Sequence, residues 1–299
     1  GFEKGLIDMA VNEKKTITIA KEEAYGEVNE SLFQKISKSQ IVEANGVYQI
    51  PVVVHVMQKG EPIGTGTNIS DADVQRGLAN LNAYFRKIAG SPGDGDGVDM
   101  QMEFVLAVRD ENGNCTNGIN RVDMSAGGIN SLKEYGHWDP TQYYNVWLVD
   151  EIDNTNCFSG GSYTAGYAYY ATEHGRPWDG SVVLLCTFLD NTSTTWAHEM
   201  GHAFNLPHTF DGDDVNFDGV VDQCGDDGIF DTPSHKRTSS IVPDIYFDCD
   251  NTGVNACDPS FDQIINPETG FRRNSGTHQD YMHNYMDYTG CPTEFTGGQ

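Results

Sequence analysis

At 299 residues, with 38% hydrophobic and 11% aromatic side chains, the chain has enough apolar content for one large core or two modest ones, which excludes a disordered protein. Its 44 acidic side chains against 18 Lys and Arg leave a net charge of −26, which repels nucleic acid and anionic membrane and excludes both as partners. No run approaches the roughly 18 consecutive apolar residues of a membrane span, and no apolar h-region follows a charged n-region at the N-terminus.

Residues 1–46 are polar, mixed in charge and weakly periodic, apart from a short helical stretch around Glu30 to Ser37. They read as an N-terminal extension, compatible with the remnant of a pro-segment. The start at Gly1-Phe2, without an initiator methionine, is what a processed or a recombinant product is expected to show. The globular domain, 47–299, is expected to begin where Val47 to Met57 becomes β-branched. Ser70 then resembles a helix N-cap with Asp73 three residues on, and Val74, Leu78, Leu81, Phe85 and Ile88 recur on one helical face. Strand-like runs follow at Met102–Val108, Tyr143–Val149, Gly166–Ala171 and Ser181–Leu189. Beyond His208, Asp, Gly, Asn and Pro dominate and no helix is expected. The alternation predicts an α/β (α+β) architecture. A mixed twisted sheet with a backing helix and an active-site helix forms an upper subdomain (47–206), and an irregular lower subdomain (207–299) faces it across a cleft.

The active-site helix carries His198-Glu199-Met200-Gly201-His202-Ala203-Phe204-Asn205-Leu206-Pro207-His208. On a helix His198 and His202 stack at i and i+4, so both rings reach one zinc ion. A straight helix would carry His208 about 15 Å from His198, so the helix must break first. Pro207 lacks an N–H and biases Leu206 away from helical angles, and Asn205 stands where the chain must reverse, a place that suits a residue tolerant of the left-handed region. Three histidines leave a coordination position open, unlike a closed structural site, and Glu199 beside them is the expected general base for water bound there. The remaining histidines, His55, His137, His174, His235, His278 and His283, lack ligand spacing and are expected to be structural.

Asp214, Asn216, Asp218, the Val220 carbonyl and Asp222, with Gly219 at the sixth position, fit the first nine positions of an EF-hand-type calcium loop. The twelfth position is Gly225, so a bidentate ligand must come from elsewhere, Asp226 or Asp227 being near. Seven cysteines include no C-x-x-C pair. Cys224, Cys249, Cys257 and Cys291 cluster after the histidines and, in an exported protein, predict two disulfides with three possible pairings. Cys186, in an apolar run, is expected to be a buried free thiol, which leaves Cys115 and Cys157 as candidates for a third bridge.

The histidine run resembles the extended signature H-E-x-x-H-x-x-G-x-x-H of the metzincin clan, with Asn205 in place of the glycine. Asn284-Tyr285-Met286-Asp287-Tyr288 looks like a Met-turn. Together with Asp226-Asp227-Gly228-Ile229-Phe230-Asp231-Thr232-Pro233 it is similar to the pappalysin family of metzincins. The resemblance runs from about Val47 to the chain end. It implies a zinc-dependent endopeptidase, secreted or at the cell surface, with Met286 packed beneath the metal and the Tyr288 hydroxyl stabilising the oxyanion. It further implies calcium at Asp227 to Thr232, the pairings Cys224 with Cys257 and Cys249 with Cys291, and a further helix beginning near Phe295–Gln299. A monomer is expected, taking a protein or peptide substrate as an extended strand along Gly166–Ala171. Thr289 and Gly290 place no charge in the adjoining pocket, so no preference for basic residues is expected. The competing reading is a calcium-dependent surface or adhesion module with a non-catalytic metal site, against which the intact Glu199 argues.

Overall fold

The sequence Ile50-Pro51-Val52-Val53-Val54-His55-Val56-Met57 lacks the polar alternation of a strand with one wet face, and in the computed structural model Val52 through Met57 are all buried. The structure describes residues 42–44, 46–125, 136–214, 224–229, 232, 235–237 and 283–299, all within the unit Ser39–Gln299. The buried run forms the spine of a mixed sheet as β2 (Val47–Gln58), preceded by the short antiparallel β1 (Val42–Ala44). β3 (Met102–Leu106) pairs parallel with the first half of β2, and β4 (Ile119–Asp123) with the second. β5 (Tyr144–Val149) also runs parallel to β2, and the order continues through β7 (Gly180–Leu184) to β6 (Gly166–Ala168), antiparallel at the edge.

α1 (Asp71–Phe85) starts in a capping box: Ser70 Oγ accepts from the Asp73 amide at 3.1 Å, and the Asp73 carboxylate accepts from the Ser70 amide at 3.2 Å. Its stripe of Val74, Leu78, Leu81 and Phe85 enters the main core with Val54, Phe104 and Leu148. Ile88 falls past the helix end and is half exposed, so the predicted face stops one turn early.

Several expectations are corrected. The run Ser181–Leu189 is not one strand: β7 ends at Leu184, and Leu185–Leu189 forms the short helix α2, because a continuous apolar run fits a buried strand and a buried helical turn equally well. β6 stops at Ala168 and β3 at Leu106. β4, whose sequence Ile-Asn-Arg-Val-Asp carries little apolar signal, was not anticipated. Cys186 is not a free thiol but is bonded to Cys157, with Cα atoms 6.2 Å apart, while Cys115 is free and exposed. The pairing follows from the parallel neighbours β5 and β7, whose ends bring the loop after β5 against the first turn of α2. Both sulfurs lie against the smaller core of Met57, Trp147, Val149 and Leu184 on the sheet's other face.

Candidate active site

α3 (Thr195–Ala203) buries Trp196, Ala197 and Met200 in the main core, which leaves His198, Glu199 and His202 toward the edge strand β6 and the loop beyond. The helix ends in a Schellman arrangement. Asn205 N–H donates to the His202 carbonyl at 2.8 Å, and Leu206 N–H to the Gly201 carbonyl at 2.9 Å. Asn205 takes φ +72°, in the left-handed region, and Pro207 follows. The chain thereby turns back and carries His208 to the other two rings.

His208 Nε2 lies 3.2 Å from His198 Nε2 and 3.1 Å from His202 Nε2. Ligands placed tetrahedrally about 2.0 to 2.1 Å from one ion stand about 3.3 Å apart, so the spacing fits a shared zinc. His198 Nδ1 meets the Tyr285 carbonyl at 2.6 Å and His202 Nδ1 the Leu206 carbonyl at 2.8 Å. A carbonyl only accepts, so each Nδ1 carries the proton and each Nε2 lone pair faces the centre. Burial and mutual repulsion pull His198 down to about 4 and His208 to about 2, and burial also lowers His202. All three are neutral at neutral pH, the state in which imidazole ligates metal.

Glu199 is 5% exposed, and burial pushes its carboxyl up to about 8 despite a hydrogen bond from the Ala168 backbone. That bond ties it to the edge strand. Gly166 keeps the contact close, since a Cβ there would stand 3.1 Å from Glu199 Cγ and 2.9 Å from the Val182 carbonyl oxygen. Met286 is fully buried beneath α3, where its sulfur occupies the space a side chain at Gly201 would need. The Tyr288 ring stands 4.8 Å from His208 and 5.7 Å from His198, centroid to centroid, and desolvation raises its phenol pKa.

Some neighbours gave no signal in the sequence. The Tyr285 and Leu206 carbonyls are backbone groups that any residue supplies. Tyr170 packs edge-on against His202 at 5.4 Å, and Phe210 lies flat on His208. Buried His235 stands 3.2 Å from Thr209 Oγ1 and 3.6 Å from Asp287 Oδ2, linking the His208 loop to the Met286 turn. Elsewhere His55 stacks on Trp147, His174 pairs with Asp179 at 2.6 Å and His283 Nδ1 meets the Cys291 carbonyl at 3.0 Å.

Of the expected calcium ligands, Asp214 lies 3.8 Å from the Arg237 guanidinium, and Asp227 and Thr232 are described, whereas Asn216, Asp218, Val220 and Asp222 lie outside the described residues. Asp227 Oδ2 and Thr232 Oγ1 are both buried. Burial pushes the Asp227 carboxyl up to about 7, against the opposing pull of the Ile229 amide and Thr232. Cys224 and Cys291 are both disulfide-bonded, while Cys249 and Cys257 lie outside the described residues.

A mixed sheet, a helix bearing two histidines, a left-handed turn to a third and a methionine turn beneath them define a metalloendopeptidase of the metzincin class. The family model Peptidase_M43, described as Pregnancy-associated plasma protein-A, matches residues 129–299, more than half of the sequence, and the chain belongs to this pappalysin family. An extracellular metalloprotease of Arthroderma gypseum is 27% identical over 259 residues, 82% of this chain and 67% of that protein. One of Sordaria macrospora is 34% identical over 152 residues, but these are 45% of this chain and only 40% of that protein. Among solved structures, mirolysin in complex with compound 9 superposes with a TM-score of 0.54 at 26% identity, covering 85% of this chain and 89% of that one. Mature mirolysin of Tannerella forsythia with a cleaved peptide gives 0.53 at 25% identity, covering 86% and 89%. Family membership and the histidine triad together support zinc as the metal. Among the described residues no helix is long and apolar enough to cross a membrane.

Proposed function

We propose that the protein is an exported zinc endopeptidase in which His198, His202 and His208 hold the ion and Glu199 is the general base. When bound, zinc supplies Lewis acidity, lowering the pKa of water and polarising a peptide carbonyl. The observation that carries the assignment of Glu199 is its burial on α3, the helix that presents His198 and His202, with its carboxylate tied to the Ala168 backbone of the edge strand. As the carboxylate, Glu199 takes the proton of the attacking water and then, as the acid, delivers it to the leaving amine. The Tyr288 phenol, kept protonated by desolvation, donates a hydrogen bond to the oxyanion. The substrate binds as an extended strand along β6, which stands at the edge of the sheet among the described residues. The names of the relatives as extracellular metalloproteases support export.

A calcium ion at this loop is supported by the burial of the Asp227 and Thr232 side-chain oxygens, with the remaining ligands drawn from the acidic sequence Asp214 to Asp222. The upper subdomain then ends at Leu206, and the loops from Pro207 onward form the other wall of the cleft.

The test measures metal content and cleavage of a denatured protein mixture, comparing the native chain with Glu199→Ala. Equal zinc with cleavage reduced by about 10² to 10⁴ in the variant is expected. Equal zinc with equal cleavage would remove Glu199 from the mechanism, and equal zinc with no cleavage by either protein would sink the peptidase reading.

A further inference from the structure

The three histidines are not held alike. His198 and His202 each anchor Nδ1 on a backbone carbonyl, but among the described residues His208 Nδ1 has no hydrogen-bond partner. An imidazole without that anchor turns about Cβ–Cγ and swings Nε2 off the ion, unless something fixes the plane of the ring.

Phe210 lies parallel to His208, with centroids 4.8 Å apart and planes 5° apart, and is itself 4% exposed. The Arg237 guanidinium covers the Phe210 ring at 5.4 Å. It is fixed there by Asp213, 2% exposed, which accepts from Arg237 Nη2 at 2.7 Å, from Nε at 3.0 Å and from the Arg237 amide at 3.0 Å. The loop closes on itself, because the Asp213 amide donates to the Phe210 carbonyl at 3.1 Å. Tyr288 seals the edge of Phe210 at 5.0 Å.

We propose that Phe210, backed by the Asp213–Arg237 ion pair, is a positioning residue for the metal ligand His208, replacing with a flat stack the hydrogen bond that the other two ligands have. This rests on the zinc reading of the triad. The stack fixes the ring plane, and the Nε2 lone pair lies in that plane. The ion pair acts one step further out, holding Phe210 against rotation in a loop without regular secondary structure.

The experiment measures zinc affinity by competition with a chromophoric chelator, and the visible spectrum of the cobalt-substituted protein, for the native chain, Phe210→Leu, Arg237→Lys and His208→Ala. Phe210→Leu keeps apolar bulk and removes the flat face. It is expected to weaken zinc binding about 10- to 100-fold and to shift the cobalt bands, with Arg237→Lys smaller in the same direction. If His208→Ala leaves affinity and spectrum unchanged, the triad reading itself fails. If His208→Ala changes both while Phe210→Leu stays within twofold of native with an unshifted spectrum, only the stacking proposal is overturned. A fall in the stability of the chelated protein without these changes marks Phe210 as ordinary packing and overturns it equally. Should Phe210→Leu not fold, Arg237→Lys decides by the same two readings.

Discussion

The two walls around the histidines are held together by different means. On the sheet side, β2, β5 and β7 are paired in continuous register, and α1 and α3 pack on them through Leu81, Phe85, Trp196 and Met200. On the other side, residues 206–213 and 283–295 have little repetitive hydrogen bonding. They are held by scattered contacts: Thr209 N–H to the Met286 carbonyl at 3.2 Å joins the two segments, Tyr285 N–H to the Glu294 carbonyl at 2.9 Å lies within the second, and the Asp213–Arg237 pair ties the first to a further loop. A sheet ladder tolerates the loss of one bond because its neighbours keep the register. A loop wall has no such redundancy, so groups that bridge the walls contribute most of its order.

Zinc held by the histidine triad would be the largest such bridge, since two of the three rings stand on α3 and the third on the loop. Chelation is therefore expected to remove about 4 kcal/mol of stability when free zinc had stood about a thousandfold above its Kd. The loss should be uneven. Hydrogen exchange should quicken at 208–213 and 283–295 while the amides of β2, β5 and β7 hold. Uniform quickening would show that the walls unfold as one unit and would break the contrast.

The sheet side has its own weak point. His55 is fully buried, with Nε2 donating to Asn145 Oδ1 at 2.8 Å and Nδ1 accepting from Asn120 Nδ2 at 3.0 Å. Burial lowers its pKa to about 4, with the Asn145 bond opposing and His137 assisting. A lowered histidine stays neutral in the folded chain while the unfolded one takes a proton. Its contribution is thus complete above about pH 6.5, falls as pH drops, and levels off below about 4, a span of about 3 kcal/mol. Denaturant titrations of the chelated protein should show the native chain losing that much more than His55→Gln between pH 7 and 4. Parallel curves would mean that His55 takes up its proton as readily in the fold as in the unfolded chain.

What was legible in the sequence follows the same division. The histidine ligands, the Ser70 cap and the apolar face of α1 are set by spacings within a few residues, so the chain spells them out directly. The Cys157–Cys186 bond depends on β5 and β7 becoming parallel neighbours, and the apolar run around Cys186 pointed to a buried thiol instead. The carbonyls that orient His198 and His202 are invisible for a different reason: every residue has one. Phe210 and Arg237 are 27 positions apart by their numbering, and only the folded loop makes them neighbours.

Asn205 is where the two walls meet, and it carries the smallest effect of the three. At φ +72° a Cβ is strained, and asparagine bears that strain better than other non-glycine residues. Asn205→Ala should destabilise by about 1 kcal/mol, whereas Asn205→Gly should be neutral or slightly stabilising, because glycine has no Cβ to strain. The sign difference separates backbone strain from a side-chain role, since both substitutions remove the amide. The Schellman bonds from Asn205 and Leu206 depend on this turn, so Asn205→Ala should also weaken zinc binding while Asn205→Gly leaves it unchanged. Equal damage from both would assign the residue's importance to its amide and not to its backbone angle.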